Sequence, residues 1–172
     1  MDNRSCRVYN VIFPIWFLWL VPLTWVVVLP ANFLIDLLVV WLTLRCLRIE
    51  SAGRQARAVI WKVWGFGFLS DFIGTAVLFP SMALDFNSRT PFGKWWYDNI
   101  TSPVAYNPLK NPLAAAWVVL AVAAAGVCIY FFNKKVSFRN TDLTPRQKHA
   151  AALALAVFTA PYFFLLPMEW FY

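Results

Sequence analysis

Residues 113–132, LAAAWVVLAVAAAGVCIYFF, run for twenty positions without a charged side chain. A stretch of that length matches the hydrocarbon core of a bilayer, which is about 30 Å thick and takes about 20 helical residues to cross. Backbone amides in lipid have no water to bond, so the segment must be a helix. Similar apolar runs recur at 8–29, 32–47, 58–80 and 149–166. Composition agrees, since 61% of the residues are apolar and 13% are charged, against about half and a quarter in soluble domains. The expected fold class is all-α: a polytopic transmembrane helical bundle of about five spanning helices. It occupies residues 1–172 as a single integral-membrane domain, with a polar, aromatic-rich outer loop at 81–112.

Residues 8–47 hold about twice the apolar length that one crossing needs. Pro30 has no N–H for the helical ladder and is the expected break, with Asn32 capping the helix that follows. This predicts a tight first hairpin. The leader MDNRSCR could open a signal peptide, but the apolar run after it exceeds a usual signal core. No small-x-small site follows, so the first helix is expected to be retained. Gly53 is read as a turn within a basic loop at 45–57, and Pro161 as a kink in the last span. Phe92, Trp95, Trp96 and Tyr97 predict an outer segment that lies at headgroup level as a short interfacial helix or re-entrant flap.

The net charge of +7 comes from basic residues that flank the apolar runs. With the N-terminus inside, twelve of the fifteen Lys and Arg residues fall on the inner face, and only Arg89, Lys94 and Lys110 fall outside. The positive-inside rule then predicts N-terminus in and C-terminus out, in a bacterial cytoplasmic membrane. The same placement accounts for the excess charge through lipid headgroups, so nucleic acid is not an expected partner. Lys62, one turn into its helix, reads as an interfacial anchor.

Two acids break the apolar pattern. Asp71 lies well inside the 58–80 run and Asp36 inside the 32–47 run. A charge at membrane depth costs roughly 3 kcal/mol on insertion scales, so such residues usually face the bundle interior and mark a functional path. Asn32 and Asp36 share one helix face, and Gly67, Asp71 and Gly74 share another with Ser70 at its edge. If the faces meet, Asp71, Asp36, Asn32 and Ser70 form a candidate proton or cation site. The plainer alternative makes each acid a hydrogen-bonded fastener between helices. Gly67, Gly74 and Gly126 are candidates for close helix packing.

Catalytic signatures are missing. The chain contains no GxSxG, no HExxH and no phosphate-cradling loop, and its one histidine, His149, sits at a span boundary. Cys6, Cys46 and Cys128 have no metal-ligand spacing. No metal and no cofactor are expected, and Asn99-Ile100-Thr101 is read as a chance sequon. The leading expectation is a non-enzymatic subunit or accessory protein whose partners are the lipid bilayer and a membrane protein or a second copy of itself. A small proton- or cation-coupled transporter or channel using Asp71 and Asp36 is the alternative, and a lipid-acting enzyme a weaker one.

Overall fold

The computed structural model describes residues 22–170 apart from Asp85 and Ser88, and every regular element among them is helical. Four long helices carry the fold: α1 (Pro22–Cys46), α2 (Ala52–Leu78), α3 (Pro112–Phe132) and α4 (Pro145–Phe158). With the turns that extend them, all four are long and apolar enough to cross a membrane. No more than a third of each span is buried within the protein, and its outer surface carries side chains such as Val26, Leu120 and Phe158, exposed by 71, 63 and 69%. That surface needs lipid as its solvent. The chain is an integral membrane helical bundle.

α2 is the central element, packing most extensively on α3 and then on α1, while α4 contacts both α1 and α3. Two buried clusters result. One joins Val40 and Leu44 to Val59, Val63, Ile129 and Leu155; the other joins Leu78 to Val118, Ala121 and Phe164. Small residues set the helix spacing in the second. A Cβ added at Gly74 would lie 3.1 Å from the Phe164 ring, 3.2 Å from the Ala125 side chain and 3.3 Å from the Ala121 carbonyl. Gly126 brings α3 against the end of α4, where an added Cβ would meet the Ala156 carbonyl at 3.5 Å.

The break expected at Pro30 is not there. α1 runs through this proline without a turn, so the second arm of the expected hairpin is the continuation of one helix. Proline removes a single hydrogen bond, and membrane helices tolerate that where a neighbouring helix supplies compensating contacts. The bond lost is the one to the Val26 carbonyl, and the contact that α2 supplies at this point is a Trp64 indole donating to the carbonyl of Leu29 at 3.1 Å, next to the proline. Most of the span expected at 8–29 lies outside the described residues.

The basic loop is also shorter than expected. α1 ends in a reversal in which Arg48 adopts a left-handed φ of 56°. The N–H groups of Arg48 and Ile49 donate to the carbonyls of Arg45 at 2.9 Å and Leu44 at 3.1 Å, the pairing of a Schellman motif. α2 then begins at Ala52, so that Gly53, Arg54 and Arg57 are helical. Arginine, glutamine and alanine are strong helix formers, and their summed preference outweighs one glycine.

On the opposite side, the segment between α2 and α3 forms a short helix (Pro91–Trp96), a π-helical turn (Tyr97–Thr101) and a further helical turn (Ser102–Tyr106). Phe92 and Trp96 pack with Phe86, and Trp96 stacks edge-on against Trp117 of α3. Asn99 donates to the Trp95 carbonyl and accepts from Asn111, so the sequon side chain is engaged within the protein. Asn111 caps α3, and a Thr144–Gln147 capping box starts α4. The last span departs from a kinked helix over 149–166. α4 starts at Pro145, stops at Phe158, and gives way to a 3-10 turn at Tyr162–Leu165.

Candidate functional site

The end of α4 is shaped by two residues. Thr159 donates both its N–H, at 2.9 Å, and its hydroxyl, at 2.8 Å, to the carbonyl of Leu155. Pro161 then has no N–H to continue the ladder. Its φ of −75° and ψ of 64°, with Tyr162 N–H donating to the Ala160 carbonyl at 2.7 Å, make an inverse γ-turn. The Tyr162 hydroxyl folds back to cap the Val157 carbonyl at 2.7 Å. The chain thus abandons helical form inside a segment that is otherwise apolar enough to span. Non-helical backbone at membrane depth is tolerated only where it is buried or lines a cavity.

This stretch does line one. Asn32, Ile35 and Asp36 of α1, Gly67, Phe68 and Asp71 of α2, and residues 158–163 enclose a cavity of about 170 Å³, room for a few water molecules or a small cation. Each acid is 5% exposed. Gly67 is what admits Asp36, since a Cβ at that position would lie 3.3 Å from Asp36 Oδ2. Thr159 lines the cavity with Asp36, its own hydroxyl proton committed to the Leu155 carbonyl. Asp71 Oδ1 is buried and has no hydrogen-bond partner among the described residues. The Thr75 hydroxyl, one turn on, donates to the Asp71 backbone carbonyl at 3.0 Å and so does not serve the carboxyl.

The electrostatics all have one sign. Two carboxyls face the cavity, and the negative end of the α4 dipole terminates beside it. Among the described residues, its lining contains no Lys, Arg or His. Every polar donor atom facing a guest here is an oxygen or an amide, a set suited to a proton or a hard cation and unsuited to a soft metal. Among the described residues no group of three His, Cys, Asp or Glu side chains converges.

Of the residues expected to form the site, Asp71, Asp36 and Asn32 meet at the cavity together with Gly67. Ser70 does not. It is fully buried, but its hydroxyl donates to the Phe66 carbonyl at 2.7 Å and it is not part of the lining. Thr159 and Pro161 were not among the expected site residues. Their signal was the Thr-x-Pro spacing within a run treated as one continuous helix. His149 lies at the basic end and hydrogen-bonds the Tyr130 hydroxyl at 2.8 Å. Cys46 and Cys128 are free thiols, and Cys6 lies outside the described residues. Comparison with protein-family models, with curated proteins and with solved structures finds no match for this chain.

Proposed function

We propose that this chain is a small, non-enzymatic membrane protein that binds a proton or an alkali cation at the Asp36–Asp71 pair and couples that binding to passage across the bilayer. The observation that carries the reading is Asp71 Oδ1, buried beside a second carboxyl in a cavity where, among the described residues, it meets neither a hydrogen-bond partner nor a basic side chain. A fastener between helices would spend its oxygens on neighbouring donors. Asp71 leaves one uncommitted. The broken helix supports the same reading, because unwound segments beside membrane-depth polar groups are how transporters expose backbone to an ion. The small-residue faces that would recommend an accessory subunit are filled from within, Gly74 by α3 and Phe164, and Gly126 by α4.

On this reading the end bearing Arg45, Arg48, Arg54, Arg57, Lys134, Lys135, Arg139, Arg146 and Lys148 faces the cytoplasm. The test is flux in proteoliposomes under an imposed proton, sodium or potassium gradient. Asp71→Asn and Asp36→Asn keep the shape of the side chain, and each is expected to abolish gradient-dependent flux while the protein elutes and melts as the parent does. Full activity in both variants would rule out the carboxyl pair as the site.

A further inference from the structure

A second concavity runs toward the basic end along a different face of α1 from the one that bears Asn32, Ile35 and Asp36, and its reading is independent of the one given to the carboxyl cavity. Between the last turns of α1 and the first turn of α2 runs an apolar groove of about 540 Å³, lined by Leu34, Leu37, Leu38, Trp41 and Ala56 with Arg57 at its rim. It shares Trp41 and Gly53 with a polar basin of about 370 Å³ that contains Arg45, Arg48 and Glu50. Together they form an amphipathic site, apolar along the helix and cationic at its end. From Leu34 to Arg45 is ~16 Å along the helix, close to the ~15 Å depth of one leaflet.

The cationic part is built from side chains with donors to spare. The Arg45 guanidinium stands 5.1 Å from the centre of the Trp41 ring, which fixes it over the mouth of the groove. Arg57 uses its Nε on the Gly53 carbonyl at 3.3 Å, which leaves the terminal nitrogens of its guanidinium for an anion. Arg48 occupies the left-handed position of the helix end, where a glycine would be unstrained. Among the described residues, Glu50 is the one carboxylate in the basin, against three arginines at the two concavities.

We propose that this groove holds one anionic phospholipid, its acyl chain along Leu34, Leu38 and Trp41 and its phosphate among Arg45, Arg48 and Arg57. Charge complementarity names the headgroup, and the apolar length names a membrane lipid over free phosphate. Basic pockets beside transmembrane helices on the cytoplasmic side recognise anionic headgroups by this means, and each basic residue contributes to the binding.

Native mass spectrometry of the full chain in mild detergent tests it, with equal amounts of phosphatidylglycerol and phosphatidylcholine of identical acyl chains. The expected result is preferential retention of phosphatidylglycerol, reduced roughly tenfold by the double variant Arg45→Gln/Arg48→Gln. Gly53→Leu places a side chain at the groove mouth, where the nearest atom to a new Cβ is the Trp41 Nε1 at 4.0 Å, and is expected to reduce retention of both lipids. The double variant Lys134→Gln/Lys135→Gln, which removes equal charge from the other basic loop, is expected to leave retention unchanged. Equal retention of the two lipids by the parent would overturn the proposal. So would an equal loss in the Lys134/Lys135 variant, because diffuse attraction to a basic surface would then explain the binding.

Discussion

At the scale of single residues, the account depends on how Asp36 is accommodated. Gly67 gives the carboxyl its place, with an added Cβ only 3.3 Å from Oδ2. Gly67→Ala has two opposed effects on stability. It gains about 0.5–1 kcal/mol of helix preference and loses about 1 kcal/mol or more to crowding, so melting in detergent should scarcely move. Cation affinity should fall by about tenfold, equivalent to about 1.4 kcal/mol, because the carboxyl must shift. A flux titration on the alanine variant checks this, and unchanged affinity together with unchanged stability would mean that the position of Asp36 is immaterial. The two acids could be read directly from the sequence because a carboxyl in an apolar run has few structural uses. Thr159 could not, since a threonine near the end of a span is ordinary and its role arises only where the helix stops.

At the scale of elements, the proline at position 30 separates local rules from tertiary ones. Local chemistry favours a break there, yet α1 passes straight through and keeps contact with α2 on both sides of it, through Trp25 with Phe68 and Phe33 with Trp61. The energetic reason is that one missing hydrogen bond is a small loss beside a face of aromatic contacts, each such pair contributing about 0.5–1.5 kcal/mol. Pro30→Ala should therefore stabilise the protein, restoring a backbone donor and removing a ring clash that costs about 3 kcal/mol in soluble helices. Thermal unfolding in detergent measures it. A lower melting temperature in the alanine variant would show that the proline serves a turn after all. Pro161 gives the opposite outcome from the same chemistry. There the chain does stop, because Thr159 has already drawn the Leu155 carbonyl to its own N–H and hydroxyl and Tyr162 caps Val157.

At the scale of the molecule, hydropathy and charge alone identify a helical membrane bundle, since lipid admits only helices and closed barrels, and unbroken apolar runs such as 113–132 are too long and too uniform for the alternating strands of a barrel. The positions of the helices at 113–132 and through most of 58–80 follow from apolar length. Their meeting points do not, because apolar residues cover the lipid face and the protein face alike, and only Gly67, Gly74 and Gly126 hint at which side packs. Orientation is testable through Cys46, an exposed thiol at the end of α1 beside the arginine-rich turn. In a chain whose Cys6 and Cys128 are replaced by serine, a membrane-impermeant maleimide should label Cys46 in inverted vesicles and not in intact cells. Labelling from outside would reverse the assignment of the basic end to the cytoplasm.

The carboxyl pair itself is reached most directly by infrared difference spectroscopy of the protein reconstituted in lipid, titrated with protons and, separately, with sodium and potassium. The account predicts a carboxyl difference band on titration with one of these cations that is diminished in Asp36→Asn, diminished in Asp71→Asn and absent in the double variant. A parent spectrum that the double variant reproduces would contradict it, because the two buried acids would then take no part in binding a cation.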